Sequence, residues 1–340
     1  MMVKVKDKKK LKAKDTILII GNGIAWDFYN HFEDFGLNPS KPISNFDNEN
    51  INLDYFFDYI PNVRKQLLTA ENKKKNNQFE PIEDYFNSIK GSPDFPRQEN
   101  ELKNFLMIAY AFFQLRADKF DYSTWRWTEY LSKNAQRIAL AVSFNYDLLL
   151  ERAIETFSTY NRLSVNEPLG NIKIFKPHGS IDLDLQGPKI KDFDPRIHKV
   201  FGNNSSHLRL VPTNEWKKPR MQVDTIPPNL HNYYRNERMW LDNAYKESAK
   251  LLYNHRIRHV IIAGHSYGEV DREEVNELLC NLTRKAKFYF VNPDPIPEIL
   301  KKYIKSLNIH HEICHIDPRI TEQFNIIMDQ RINLQSVYNN

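Results

Sequence analysis

Residues 16–32 read TILIIGNGIAWDFYNHF: a short apolar run, a glycine-bearing turn, then a stretch whose bulky residues recur at helical spacing. An apolar run without polar alternation fits a strand buried on both faces, and glycines directly after it let the backbone turn tightly into a helix. The same grammar returns downstream. IALAVSF at 138–144 precedes DLLLERAIETF, IKIF at 172–175 runs into KPHGS, and HVIIA at 259–263 meets GHSYG before VDREEVNELL. KFYFV at 287–291 ends at NPDP before a helix over 296–306, and a terminal strand and helix follow. Alternating strands and helices with short turns predict an α/β fold: a Rossmann-like parallel sheet with helices on both faces.

The first two β units are separated by LDYFFDYI, FEPIEDYFNSI, ELKNFLMIAYAFFQLRA and WRWTEYLSKN, helical segments with no strand signal between them. They predict a helical insertion over about 37–135, forming a smaller subdomain. Residues 183–235, with Pro and Asn scattered through them, read as loop-rich. The expected organisation is a basic flexible tail at 1–15, one catalytic domain at 16–330, and a C-terminal tail at 331–340.

With 41% hydrophobic and 13% aromatic residues, the 340-residue chain is too rich in apolar bulk to be disordered. Its net charge of +5 sits in the tail, where the first fifteen residues hold seven Lys and two Asp; the remainder carries 41 basic and 41 acidic side chains. That balance argues against direct nucleic-acid binding. The tail lacks the apolar core of a signal peptide, and no window approaches the ~20 apolar residues of a membrane span. Two cysteines, Cys280 and Cys314, with no secretory signal imply a cytoplasmic location and exclude a four-cysteine zinc site from this chain alone.

In parallel sheets ligands bind where strands end, so the turns after the strands carry the candidates. Gly21 and Gly23 suit either a tight turn or close backbone approach to a phosphate at a helix N-terminus. Asn145 and Asp147 follow a buried strand two residues apart and would point the same way if the extended conformation persists, or would cap the next helix. His178 stands between a proline and a glycine, as a structural or a catalytic histidine. GHSYG at 264–268 has the form of a nucleophile elbow, with Ser266 as its serine. VNPD at 291–294 is the fifth turn.

The order of these turns, GNG, SFNYDLLLERA, KPHGS, GHSYGEVD and VNPD, resembles the sirtuin superfamily and in particular its bacterial defence-associated, sirtuin-like branch. GNG, FNY and HG are also similar to the phage abortive-infection AbiH family. The resemblance implies that Gly21, Asn22 and Gly23 cradle the phosphates of NAD and that Asn145 and Asp147 line nicotinamide and its ribose. His178 would be the base, Gly264 and Ser266 would contact phosphate or ribose, and Asn292 would hold the adenosine ribose. Asp27, Gly179, Ser180 and Asp294 complete the expected NAD-binding set. No zinc ribbon and no metal are expected, and the arginine-bearing segment of protein-deacylating sirtuins is missing. The implied activity is therefore hydrolysis of NAD, as substrate, to nicotinamide and ADP-ribose, in an effector of anti-phage defence by NAD depletion. The implied partners are further copies of the chain or a second defence protein, a HerA-like ATPase or an Argonaute-type protein.

The chemistry suits these residues. Nicotinamide leaves a cationic bond as a neutral group, so the site needs only to hold the ribose, orient one water through an amide such as Asn145, and take its proton on a neutral His178. Two rivals remain open at this stage. A serine hydrolase would use Ser266 with Asp294 and one of His310, His311 or His315, though only 74 residues follow the serine. A binding module for NAD or ADP-ribose would keep the turns without catalysis. A metal site from His310, His311, Cys314 and His315 is disfavoured, because adjacent residues on a strand face opposite ways.

Overall fold

The computed structural model describes residues 14–42, 44–47, 58, 60–63, 79–187, 205–227, 238–307 and 311–328. Strand β1 (Thr16–Ile20) lies between β2 (Ile138–Ser143) and β7 (His259–Ala263), paired in parallel with both. Beyond β2 lie β4 (Ile172–Phe175) and β3 (Tyr160–Arg162); beyond β7 lie β8 (Lys287–Val291) and β9 (Glu312–Ile316). The result is a seven-stranded parallel sheet in the order β3-β4-β2-β1-β7-β8-β9. Every residue of β1 and β2 is buried, which is why both read as apolar runs without alternation.

After β1 the chain builds outward in one direction, and with β7 it returns to the other side of β1. With right-handed crossovers this reversal puts helices on both faces and opens a crevice at the strand ends beside β1. The turn after β1 leads into α1 (Gly23–His31), and α6 (Leu149–Glu155) follows β2. Helix α7 (Met239–Asn254) precedes β7, α8 (Glu269–Leu279) and α9 (Glu298–Ser306) follow β7 and β8, and α10 (Thr321–Met328) closes the described chain. No helix among the described residues is long and apolar enough to cross a membrane.

Between α1 and β2 stand α2 (Ser44–Asp47), α3 (Phe79–Ile89), α4 (Phe95–Ala117), a 3-10 turn at Tyr122–Thr124 and α5 (Arg126–Asn134). Most of LDYFFDYI and nearly all of both tails lie outside the described residues. Helix α4 starts with a proline in its first turn, where a missing N–H costs no helical bond. It is buried almost all round, polar residues included, and Asn100, Lys103 and Asn104 among them serve the segment 220–224. Asn104 receives the N–H of Arg220 at 2.7 Å and donates to its carbonyl at 3.0 Å. Asn100 donates to the Met221 carbonyl, and Lys103 pairs with Asp224 at 3.0 Å. The insertion thus supplies the hydrogen bonds that an irregular buried segment cannot make with itself.

Within 183–235, the described residues are less irregular than the composition suggests. Strands β5 (Leu183–Leu185) and β6 (Leu208–Leu210) form a separate two-stranded antiparallel sheet. Such three-residue strands, like β3, give too few positions for a period to show in sequence.

Under this region runs a buried ionic group. Arg162 reaches Asp182 at 2.8 Å and Glu167 at 3.2 Å, while Lys176 lies 3.2 Å from Glu151. Arg162 is 2% exposed and Glu151 fully buried, so neither charge has water to fall back on. Removing one member of such a group costs ~3–5 kcal/mol, since its partners stay buried without a counter-ion. Arg162→Met should lower the unfolding free energy in urea by about that much, and a change under ~1 kcal/mol would show the group to be dispensable.

Candidate active site

At the crevice the turns after β1 and β7 touch backbone to backbone. A Cβ on Gly23 would lie 2.5 Å from Gly264 Cα, and one on Gly21 would lie 2.9 Å from His265 Cα. Gly264 itself has φ +59°, and the N–H of Gly23 donates to its carbonyl at 2.7 Å. These glycines are therefore spent first on joining GNG to GHSYG. Asn22 donates its side-chain amide to Ser40 at 3.0 Å, and the Trp26 indole donates to the same hydroxyl.

Strand β2 ends at Ser143, so the alternation that would align Asn145 with Asp147 does not continue. Asn145 turns toward β1 and donates to the Gly21 carbonyl at 3.2 Å. Asp147 turns the other way: its Oδ1 accepts the Leu149 N–H at 3.1 Å, the helix-capping use of this residue. Burial raises its pKa, against the pull of Lys176, to about 6, and Oδ2 is buried without a partner.

His178 sits on the turn after β4 and is 7% exposed. Its Nε2 lies 3.0 Å from Glu274 Oε2 and 3.5 Å from Asp271 Oδ1, two carboxylates one helical turn apart on α8. Asp271 Oδ2 lies 3.3 Å from Nε2 of His265, whose Nδ1 accepts the Tyr267 N–H at 2.9 Å. The Phe144 ring stands edge-on to both imidazoles, 5.3 Å from His178 and 4.8 Å from His265. Burial, the largest influence, favours a neutral His178. The charge and hydrogen bond of Glu274, then Asp271 and a backbone bond at Phe144, outweigh it and raise the pKa from 6.5 to about 9. The neutral ring expected from sequence is thus corrected: two carboxylates hold a proton on His178 at pH 7.

The remaining candidates fall into two groups. Ser266 is exposed on the rim, and Asp294 is exposed with its N–H bonded to the Asn292 side chain at 3.1 Å. Asn292 is buried and faces the His265 carbonyl at 3.4 Å, while its own carbonyl meets His315 Nε2 at 2.8 Å. Gly179, at φ +75°, packs under the Asp224 carbonyl, and Ser180 donates to the Tyr146 carbonyl. Asp27 lies away from this group in its bonding: its carboxylate takes the Trp125 indole N–H at 2.9 Å and pairs with Arg126, pinning the start of α5 to α1. The left-handed residues of GHSYG are Gly264 and Tyr267, at φ 59° and 55°, and not Ser266, whereas a nucleophile elbow strains the serine itself. Of the three histidines offered for a serine hydrolase, His315 bonds to Asn292, His311 Nδ1 accepts the Ala286 N–H, and His310 lies outside the described residues.

Helix α8 opens with Glu269 and Asp271, which complement its dipole but would repel a phosphate there. Glu83 of α3 joins this acidic side: burial first, then Asp84, Glu269, Glu80 and Asp271, raise its pKa.

No protein-family model matches the chain, and no curated protein matches it. Among solved structures, a mutant Sir2 homologue in complex with 2'-O-acetyl ADP-ribose is similar at TM-score 0.39 and 11% identity, covering 98% of this chain and 100% of the other. A Sir2 homologue in complex with NAD is similar at TM-score 0.37 and 11% identity, covering 96% and 92%.

Asp271, Glu274, His265 and Phe144 were not singled out from sequence. The available signal was a pair of acids at i and i+3 directly after a glycine turn, which places both on one helix face. A folded pKa above the unfolded one means that the His178 ion pair stabilises fully below pH 6.5 and loses its contribution as pH rises toward about 9. In EDTA-treated protein, NMR should show this imidazole titrating near 9, and Glu274→Gln should move it downward. A ring that titrates alike in both proteins would refute the pairing.

Proposed function

We propose that this protein cleaves NAD to nicotinamide and ADP-ribose. The observation that carries the reading is that Asn145, bonded to Gly21, and His178, against the Phe144 ring, both stand buried on turns at the sheet's switch point. The motif order that resembles the sirtuin-like family supports it independently.

In this reading NAD lies along the rim formed by Asn22, Gly23, Gly264 and Ser266, which keep some exposure, and its glycosidic bond reaches the interior. The C–N bond breaks with its electron pair going to the nicotinamide nitrogen, and positive charge grows on the ribose. The carboxylates of Asp271 and Glu274 give that charge a favourable field. Asn145 donates one N–H to Gly21, and no bond among the described residues engages its carbonyl oxygen, which orients the attacking water. The water's oxygen bonds to the anomeric carbon, and its proton goes to His178 Nε2 once that nitrogen has passed its own proton to Glu274. Asp147 acts from behind, by capping α6.

Depletion of NAD in phage defence, a cytoplasmic site of action, and control by self-assembly or by a HerA-like ATPase or Argonaute-type partner belong to the same proposal and rest on the resemblance.

Nicotinamide release from NAD by purified protein tests the reading. Asn145→Ala and His178→Ala should each lower the rate by roughly 10²-fold or more with the circular dichroism unchanged, whereas Ser266→Ala should weaken NAD binding and leave residual cleavage. Full activity in either of the first two removes the assignment; NAD binding without nicotinamide release would make this a binding module.

A further inference from the structure

The His178 group has a second capacity that the sequence did not announce. His178, Asp271 and Glu274 each offer one ligand atom, and these atoms lie within 4.8 Å of one another. Two of the separations, 3.0 Å and 3.5 Å, run from the imidazole Nε2 to the two carboxylates. A cation bound at ~2.0–2.2 Å in tetrahedral or octahedral geometry holds neighbouring ligand atoms roughly 3 to 3.5 Å apart. The imidazole nitrogen therefore already stands at coordination-sphere spacing from both carboxylates, and the third separation is no more than 4.8 Å.

The elements that carry them are fixed. Asp271 and Glu274 project from one face of α8, and Phe144 holds the His178 ring edge-on. His265 adds a separate observation. It is 2% exposed, its Nδ1 is occupied by the Tyr267 N–H, and its Nε2 is buried without a well-aligned hydrogen bond while aimed at Asp271 Oδ2. A metal-bound carboxylate is commonly held in this way, by a donor on the oxygen that faces away from the ion.

We infer that His178, Asp271 and Glu274 form a binding site for a divalent transition-metal cation, with His265 orienting Asp271. One imidazole and two carboxylates favour Zn²⁺ or Co²⁺ over Mg²⁺, which prefers oxygen ligands and retains its water. The described histidines near β9 are engaged elsewhere: the His311 Nδ1 accepts the Ala286 N–H, and His315 bonds to Asn292. Where the NAD reading holds, a bound cation occupies the Nε2 lone pair that the water's proton needs, so the loaded protein is silent.

Zn²⁺ titrated by calorimetry into metal-depleted, full-length protein should bind one strong equivalent, with Mg²⁺ giving none under the same conditions. Glu274→Gln and Asp271→Asn should each weaken Zn²⁺ by tenfold or more. Should either variant fail to fold, the visible spectrum of the Co²⁺-loaded wild type decides: nitrogen and oxygen ligation gives d–d bands without thiolate charge transfer. No strong equivalent in the wild type, equal Zn²⁺ affinity in folded variants, or a thiolate band from Cys314 or Cys280 would overturn the site. Stoichiometric Zn²⁺ should also stop nicotinamide release. Binding by a protein that never cleaves NAD would leave the site standing and remove the NAD reading instead.

Discussion

At the end of β1 two backbones meet, with the His265 ring close beside them. Gly21 and Gly23 face Gly264 and His265 at distances that leave no room for a Cβ on any of the three glycines. Because β1 pairs directly with β7, this contact decides how the two halves of the sheet meet at their carboxyl ends. It also sets His265 beneath the start of α8, and through it the position of Asp271. Glycine here is a requirement of protein packing before it is a provision for any ligand.

Charge is the second constraint. The described interior holds Arg162, Lys176, Glu151 and Asp182 around β3 and β4, and Lys103, Asp224 and Arg238 between α4 and the segment above the His178 turn. Each group crosses from one part of the chain to another. Apolar packing tolerates sliding, but paired buried ions do not, so these contacts fix one arrangement of insertion and sheet. Asp224, held by Lys103, Arg238 and the Trp240 indole, fixes the peptide whose carbonyl covers Gly179. The insertion thereby bears on the His178 turn through Asp224.

Much of the fold was legible because buried parallel strands leave an unbroken apolar signature: TILII, IALAVS, HVIIA and KFYFV each became a strand within a residue or so of its apparent limits. Short strands such as YNR and LDL were not, since three residues carry no period. The turns were legible as places but not as partners. Nothing in KPHGS reveals that its histidine meets a glutamate 96 residues later, and it is that glutamate that turns a neutral base into a protonated ring. Asp147 illustrates the opposite limit: its two readings, ligand and cap, have the same sequence, and only the end of β2 at Ser143 shows which way the side chain turns.

The central place of β1 also sets a clock. Thr16 pairs with His259, so the crevice has only one wall until the ribosome has made β7, and Asp271 and Glu274 come later still. At ~5–20 residues per second that interval is roughly 12 to 50 s. During it the nascent chain carries its glycine turn, its amide and its histidine without the helix that completes them. Whatever reaction the finished site performs, a growing or truncated chain cannot perform it.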